Sequence, residues 1–294
     1  MAIFTGSGVA IVTPMKDNLE VNYDKLEELI DFHVKGGTDC IVIAGTTGEG
    51  ATLSMEEHRN VIRAAVEFTR HRIPVVAGTG SNCTKTAIQL TQEAEEDGAD
   101  GALIVTPYYN KATQTGLIKH YSQIASETKL PIILYNVPSR TGVGFDVSTV
   151  AALAEHKNIA AIKEASGNIG YTAKVAAKCG DKIDIYSGND DMIVPIMSLG
   201  GKGVISVLSN VLPKETHQMT QYCLENNFAA ASELQLKYLR LINDLFMEVN
   251  PIPVKEAMNQ LGMPSGPCRM PLLDMSDEHK AAMQATLRAY GMLS

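Results

Sequence analysis

Eight short apolar runs constrain the fold of this chain more than any other feature of its sequence. Each is rich in Val, Ile and Ala, and their centres lie about 20 to 33 residues apart, the length of a strand, a turn and a helix. The segments between them carry apolar residues three and four positions apart, as amphipathic helices do. The runs are GVAIVTP (8–14), CIVIAGTTGE (40–49), IPVVAGTG (73–80), GALIVTPYYN (101–110), PIILYNVPSR (131–140), IAAIKEAS (159–166), IDIYSGND (183–190) and GVISVLSN (203–210).

Strands that are apolar along their whole length are covered on both faces, which is typical of a parallel sheet. Eight such strands alternating with helices predict a closed (β/α)8 TIM barrel of the α/β class, and an open doubly wound sheet is the alternative. No GxGxxG follows the first strand and no P-loop is present, so the usual reasons for an open nucleotide-binding fold are missing. The strand spacing stops near Lys214. We predict a catalytic barrel over residues 1–224 and a C-terminal helical appendage over residues 225–294.

Composition and charge exclude several classes of protein. The formal net charge is −8 with acidic and basic residues interspersed, whereas nucleic-acid binding needs clustered Lys and Arg. The five cysteines form no CxxC pair and the seven histidines show no HExxH spacing, so the sequence predicts no metal site. The N-terminus lacks an export signal, and no apolar run reaches the ~20 residues of a membrane-spanning helix. We expect a soluble, cytoplasmic protein without a nucleic-acid or membrane partner.

The active site of a (β/α)8 barrel lies where the βα loops converge, at the C-terminal ends of the strands. The polar residues that end the eight runs are therefore the candidates for chemistry. Hydroxyl groups dominate them, with one lysine and one arginine. They are Thr13; Thr46, Thr47 and Glu49; Thr79; Thr106, Tyr108, Tyr109 and Asn110; Tyr135, Asn136 and Arg140; Lys163 and Glu164; Ser187, Asn189 and Asp190; and Ser206, Ser209 and Asn210.

Lys163 is the only lysine in the C-terminal half of a predicted strand. Strict alternation places it on one face with Ile159, Ala161 and Ala165. If that face is the barrel interior, the small alanines leave room for a ligand. Burial among apolar side chains disfavours the ammonium form, and a free amine attacks carbonyl carbons to give a Schiff base. The alternative is a structural lysine paired with Glu164 or Glu49.

Three other features could handle a keto acid. GTTGEG (45–50) brings backbone N–H groups together between glycines and can hold a carboxylate, although an ordinary loop turn explains it equally well. The planar fork of Arg140 suits a carboxylate, and a surface ion pair is the alternative. Tyr135 could exchange a proton in a dry pocket, or be a core tyrosine with a satisfied hydroxyl.

Two further pairs of residues draw attention in the predicted loops. Tyr108 and Tyr109 are adjacent aromatics, which indicates a covered interface or a ligand contact. Asp190 and Asp191 follow the seventh run, where they would repel a phosphate group, and we expect them to cap the next helix.

Several motifs together resemble the 4-hydroxy-tetrahydrodipicolinate synthase family, also called dihydrodipicolinate synthase. In order, they cover essentially the whole chain. The resemblance implies a lyase of lysine (diaminopimelate) biosynthesis that condenses pyruvate with L-aspartate 4-semialdehyde and needs no cofactor beyond a covalent Schiff base. The motifs are GTTGE (45–49), VTPYYN (105–110), YNVPSRTG (135–142), IKEASG (162–167), IYSGND (185–190), GVISV (203–207) and NPIPVKEAMN (250–259).

The resemblance also implies roles for single residues. Lys163 matches the Schiff-base lysine, and its imine with pyruvate becomes an enamine that attacks the aldehyde. Tyr135, Thr47 and Tyr109 match the proton relay, with Tyr109 reaching into the site of a neighbouring subunit. A homo-oligomer follows, of which the family's usual form is a tetramer built as a dimer of dimers. The substrate-binding matches are the backbone N–H groups of Thr46 and Thr47, the Arg140 side chain, and the main chain of Gly188 and Ile205.

Other readings of the same barrel remain open. N-acetylneuraminate lyase shares the Schiff base and the handling of pyruvate, and related 2-keto-3-deoxy sugar acid aldolases are a further alternative. Members of the lyase family typically have serine at the position of Thr46 and lack both the arginine and the tyrosine pair, so Thr46, Tyr109 and Arg140 favour the synthase. A non-catalytic keto-acid-binding protein would not need the relay residues.

One departure from the family pattern concerns feedback regulation. Lysine-inhibited members place a histidine and a glutamate around the inhibitor, at the positions that Met55 and Thr86 occupy here, while His58, Asn82 and Tyr108 are retained. Neither replacement offers a charge-assisted contact, whose loss typically costs about 1.5–3 kcal/mol. We predict weak or absent inhibition by lysine.

Overall fold

Eight parallel strands close into a barrel in the computed structural model, which describes residues 2–263 and 265–293. The strands pair in chain order, and β8 returns to pair with β1. Seven of the predicted runs contain one strand each and the first overlaps β1, which begins two residues before it, so the predicted TIM barrel is confirmed. The strands are β1 (Gly6–Ala10), β2 (Cys40–Ile43), β3 (Val75–Gly78), β4 (Gly101–Val105), β5 (Ile132–Asn136), β6 (Ile159–Glu164), β7 (Asp184–Ser187) and β8 (Gly203–Ser206).

Helices connect the strands and surround the barrel. They are α1 (Tyr23–Lys35), α2 (Met55–Thr69), α3 (Thr84–Glu96), α4 (Gln114–Ser126), α5 (Pro138–Thr141), α6 (Val147–Leu153), α7 (Ile169–Cys179), α8 (Ile193–Ser198), α9 (Pro213–Leu224), α10 (Phe228–Asp244), α11 (Ile252–Gln260) and α12 (Asp277–Ala289). Helix α2 begins with a capping box: the Glu57 N–H donates to Ser54 Oγ at 3.1 Å, and the Ser54 N–H donates to the Glu57 carboxylate at 2.9 Å. This cap fixes the end of the loop that follows β2.

The barrel has two apolar layers. An outer cluster packs the strands against the surrounding helices, and an inner cluster fills the barrel. Phe4 lies just before β1, and its ring stacks on Tyr186 at 4.4 Å between centroids. The Tyr186 hydroxyl donates to the Phe4 carbonyl at 2.6 Å. These two residues help to fill the N-terminal end of the barrel, so the space for a ligand lies at the other end.

The expectation of strict alternation along β6 is wrong at its first residue. Ile132 of β5 pairs with Ile159, but the next residue of β5 pairs with Ala161, so Ala160 is an extra residue in β6. Such a bulge reverses the face on which the preceding side chain lies. Ile159 consequently packs in the outer cluster, while Ala161 lies inside the barrel.

The helices after the barrel pack onto it. Leu241 of α10, Val254 of α11 and Met283 of α12 belong to the same outer apolar cluster as the barrel helices. The division into a barrel over residues 1–224 and a helical region over residues 225–294 stays a prediction. Among the described residues, no helix combines the length and the apolar character that crossing a membrane requires.

Candidate active site

A cavity of about 390 Å³ opens at the C-terminal ends of the strands. It brings together six of the eight predicted site residues, which lie at the ends of β2, β5, β6 and β7 or in the connections that follow these strands. Ile242 and Asn243 of α10 also line it, together with Phe246 and Asn250 after that helix. The predicted site residues that line it are Thr46, Thr47, Tyr135, Arg140, Lys163 and Gly188.

Lys163 is a buried amine that forms no ion pair with any described residue. Its side chain is 6% exposed, and its Nζ lies 4.3 Å from the centroid of the Tyr135 ring, whose residue is its register partner in β5. No carboxylate of residues 2–263 or 265–293 forms an ion pair with it. A Cβ on Gly188 would lie 3.1 Å from Lys163 Cε and 2.6 Å from the Ala165 side chain, so glycine is required for this close approach.

The alternative reading of Lys163 as a paired structural lysine is wrong. Glu164 accepts hydrogen bonds from Asn136 Nδ2 and from the Ser166 N–H, both at 2.7 Å. Its burial raises the pKa of the Glu164 carboxyl group. Glu49 pairs instead with Lys255, at 2.8 Å. Lys163 therefore lines the cavity with a polar nitrogen that has no fixed acceptor among residues 2–263 and 265–293.

The loop after β2 closes as a turn and still leaves donors free. The Glu49 N–H donates to the Thr46 carbonyl at 3.1 Å, and Thr47 Oγ1 accepts a hydrogen bond from Asn250 Nδ2 at 3.0 Å. The backbone N–H groups of Thr46 and Thr47 donate to no acceptor in the part of the chain that the structure describes. Two free N–H groups beside a buried amine can bind a carboxylate.

Arg140 lies in the short helix α5, within the connection that follows β5. Its Nη2 donates to the Asn250 carbonyl at 3.4 Å. No ion pair joins it to a carboxylate of the described residues, so the surface ion pair that was its alternative reading is wrong. The guanidinium is exposed at the rim of the cavity and can reach an anionic ligand there.

Two predicted site residues do not line the cavity. Tyr109 is 91% exposed and adopts a positive φ of 72°. Ile205 is buried in the cluster inside the barrel. The family-based expectation for Ile205 concerned its main chain, and that for Tyr109 concerned a neighbouring subunit, so both expectations stay predictions.

The similarity of this chain to known proteins extends over nearly its full length. The sequence profile described as "Dihydrodipicolinate synthetase family" matches residues 3–290. The chain belongs to the dihydrodipicolinate synthetase family. It is accordingly an enzyme, a lyase of lysine biosynthesis.

Individual members of the family are close to this chain. The 4-hydroxy-tetrahydrodipicolinate synthase of Lachnoclostridium phytofermentans is 56% identical over 294 residues, which is 100% of both chains. That of Acetivibrio thermocellus is 52% identical, covering 99% of each. Among solved structures, dihydrodipicolinate synthase from Aquifex aeolicus is 46% identical with a TM-score of 0.96, covering 98% of this chain and 99% of that one. The enzyme from Acinetobacter baumannii, chloride-inhibited and complexed with pyruvate, is 43% identical with a TM-score of 0.97 over the same shares.

The structure of this family member also shows site residues that the sequence pattern missed. Phe246 and Asn250 line the cavity from the segment that follows α10. Asn250 is buried and hydrogen-bonds Thr47, as described above. The helical spacing around it gave no sign of this contact. The only available signal was that Asn250 opens the family motif NPIPVKEAMN.

The expectation that Asp190 and Asp191 cap the next helix is wrong. Neither side chain caps the 3-10 turn at Asp190–Met192 or helix α8. Asp190 is buried, and its Oδ2 accepts from the N–H groups of Val207 at 3.0 Å and Leu208 at 2.9 Å. Burial raises the pKa of its carboxyl group. Asp190 thus joins the loops after β7 and β8 beside Lys163.

Proposed function

We propose that this enzyme condenses pyruvate with L-aspartate 4-semialdehyde through a Schiff base on Lys163. The observation that carries the proposal is a buried amine, without a carboxylate partner among the described residues, which faces a cavity beside free N–H donors. The pyruvate complex of the Acinetobacter baumannii relative supports the same keto acid here.

The chemistry follows from the amine. The Lys163 nitrogen attacks the carbonyl carbon of pyruvate, and loss of water leaves an imine. Loss of a methyl proton turns the imine into an enamine, whose terminal carbon attacks the aldehyde of the second substrate. The amino group of that substrate then attacks the imine carbon, which closes the ring and releases Lys163. The product is 4-hydroxy-tetrahydrodipicolinate.

The remaining cavity residues have matching roles in the proposal. The Tyr135 and Thr47 hydroxyls carry protons to and from the reacting atoms. The N–H groups of Thr46 and Thr47 hold the pyruvate carboxylate, and Arg140 holds that of the semialdehyde. The main chain of Gly188 and Ile205 completes the contacts. The covalent imine replaces any separate cofactor.

We propose that the active enzyme is a homo-oligomer, built as a tetramer of two dimers. Tyr109 is 91% exposed in the single chain, where it contacts no part of the cavity. An exposed tyrosine on a loop can complete the relay only in a neighbouring subunit. The free cysteines among the described residues support a reducing, cytoplasmic location.

Borohydride trapping tests the proposal. The protein is incubated with pyruvate, reduced and digested, and we expect the adduct on the peptide that contains Lys163 and on no other. A coupled assay with aspartate semialdehyde should then show condensation, while N-acetylneuraminate should not be cleaved. An adduct on another lysine, or cleavage of N-acetylneuraminate alone, would overturn the proposal.

We also propose that lysine inhibits this enzyme weakly or not at all. A second cavity of about 500 Å³ is lined by Met55, His58, Thr86 and Tyr108, among others. His58 Nε2 is already hydrogen-bonded to the Gly78 carbonyl at 2.8 Å. None of these four side chains offers a carboxylate to an ammonium group, and Glu49, which also lines this cavity, is already paired with Lys255. Inhibition at sub-millimolar lysine would contradict this, and Thr86→Glu, which adds the missing charge, should increase sensitivity to lysine.

A further inference from the structure

A second buried lysine lies behind the active-site loop. Lys255 belongs to α11, its side chain is 2% exposed, and its Nζ lies 2.8 Å from Oε1 of Glu49, whose side chain is 0% exposed. Nζ also donates to the carbonyls of Thr13 at 3.3 Å and Pro267 at 2.6 Å. The three donors of its ammonium group are therefore all used.

Glu49 is bonded through both carboxylate oxygens. Its second oxygen, Oε2, accepts from the Arg269 N–H at 2.8 Å. Its backbone has a positive φ of 53°, a conformation that costs a non-glycine residue free energy and persists when the surroundings enforce it. The ion pair thus ties the end of the β2 loop to α11 and to the segment around Pro267 and Arg269.

The same C-terminal segment holds the loop at a second point. Asn250 donates from Nδ2 to Thr47 Oγ1 at 3.0 Å, and its carbonyl accepts from Arg140 at 3.4 Å. Asn250 therefore contacts Thr47 and Arg140, which would both hold substrate carboxylates, while Lys255 contacts Glu49, two residues after Thr47.

A loop of this composition needs such anchors. The stretch 45–50 contains three glycines, which leave its backbone many conformations in the absence of tertiary contacts. Apolar side chains would hold α11 against the barrel equally well, because a buried ion pair adds little net stability. The ion pair instead restricts the loop to one conformation, because each of its hydrogen bonds requires a specific distance and angle.

We propose that the Glu49–Lys255 ion pair positions the Thr46 and Thr47 N–H groups for the carboxylate of the keto acid. Lys255 and Glu49 are positioning residues, because neither lines the cavity around Lys163. The inference rests on the proposed function and deepens it: the C-terminal helices determine the recognition of the carboxylate, and β6 supplies the amine.

The test compares two ketones that differ in the carboxylate. Pyruvate and acetone both form an imine with Lys163: the nitrogen bonds to the carbonyl carbon, water leaves, and borohydride delivers hydride to the C=N bond. Only pyruvate has a carboxylate for the Thr46 and Thr47 donors. Trapping on the Lys163 peptide is measured against the concentration of each ketone, at a temperature where every variant is folded by circular dichroism.

Three variants accompany the parent enzyme. Lys255→Met breaks the pair, and Glu49→Gln with Lys255→Met replaces both charges and restores stability without restoring the bond. Asp97→Asn is the matched control, because it removes the charge that pairs with Arg59 and Arg63 of α2, and none of these three residues lines the cavity around Lys163.

We expect the half-saturating pyruvate concentration to rise about tenfold or more in both Lys255 variants, since a displaced donor loses most of a charge-assisted hydrogen bond. Acetone trapping should stay at the parent level in all variants, and Asp97→Asn should change neither ketone. The positioning role alone is overturned if the half-saturating pyruvate concentration is unchanged in Lys255→Met. It is also overturned if that concentration returns to the parent value in the double variant along with stability. Failure of the parent itself to trap pyruvate on Lys163 overturns the proposed function, and the positioning role with it.

Discussion

Lys163 and Lys255 are both buried lysines, and their surroundings are opposite. Their side chains are 6% and 2% exposed, respectively. Lys255 donates to a carboxylate and two carbonyl groups. Lys163 has the face of the Tyr135 ring at 4.3 Å and, among the described residues, no ion-pair partner.

The difference shows that burial alone does not make a lysine reactive. A carboxylate partner favours the ammonium form, which has no electron pair to attack a carbonyl carbon. Lys163 has no such partner among the described residues, and it lines an open cavity that a ketone can enter. Lys163, which has no ion-pair partner among the described residues, is therefore suited to chemistry. Lys255, whose three ammonium donors are all used, is suited to holding the loop.

The largest expected effect is on turnover when the unpaired lysine is removed. Lys163→Ala should lower the condensation rate by about a thousandfold or more, because no other group can form the imine. Its thermal unfolding temperature should stay close to that of the parent, since no hydrogen bond to Nζ is lost. A steady-state coupled assay and thermal unfolding measure the two quantities. Normal turnover in this variant would remove the proposed mechanism altogether.

Lys255 should show a large effect on stability. Lys255→Met leaves the Glu49 carboxylate buried without its charged partner, which should lower the free energy of unfolding by about 3–5 kcal/mol. Urea unfolding measures it. The matched Lys163→Met should lose much less, and adding Glu49→Gln to Lys255→Met should recover most of the loss. Equal losses of unfolding free energy in Lys255→Met and Lys163→Met would show that the two lysines do not differ in their contribution to stability.

The sequence predicted one of these lysines and missed the other for a physical reason. Lys163 interrupts a buried strand, and a charged residue in such a run is conspicuous. Lys255 stands in a helical stretch beside Glu256, where the local pattern is that of an ordinary surface helix. Its burial depends on Thr13 and Glu49, which are 242 and 206 residues away along the chain.

The rest of the fold shows the same difference: features set by local sequence were predictable, and features set by contacts between distant residues were not. All eight strands were predictable because each is an apolar run of local sequence. The face of Ile159 was not, because the bulge at Ala160 is set by pairing with β5. The cap expected of Asp190 failed likewise, because its bonds are to Val207 and Leu208 on the next strand's loop.

A smaller effect on turnover should distinguish the role of the Tyr135 hydroxyl group from the role of its aromatic ring. Tyr135→Phe keeps the aromatic face over Lys163 and removes the proton carrier, so turnover should fall about a hundredfold. The control is Tyr186→Phe, which removes the hydroxyl bonded to the Phe4 carbonyl inside the barrel and should leave turnover unchanged. Steady-state kinetics measure turnover in both variants. Equal turnover in Tyr135→Phe and Tyr186→Phe would mean that the Tyr135 hydroxyl carries no proton in the reaction and that only its ring contributes, through its contact with Lys163.

The smallest expected effect is on the pH dependence of stability. It concerns a buried histidine that has no carboxylate partner among the described residues and lines neither of the two cavities. His33 in α1 is fully buried, with Thr38 Oγ1 at 3.3 Å from its Nδ1, and burial lowers its pKa to about 3. Below its ordinary pKa of about 6.5, the unfolded chain binds a proton that the folded chain does not bind until about pH 3, so stability falls as the pH drops through that window.

Between pH 7 and pH 5 this single histidine should cost about 2 kcal/mol of unfolding free energy. Urea unfolding across that range should show a shallower pH dependence in His33→Leu than in the parent, by about that amount. If the slope is the same in His33→Leu as in the parent, the buried imidazole is not the group that titrates in this range.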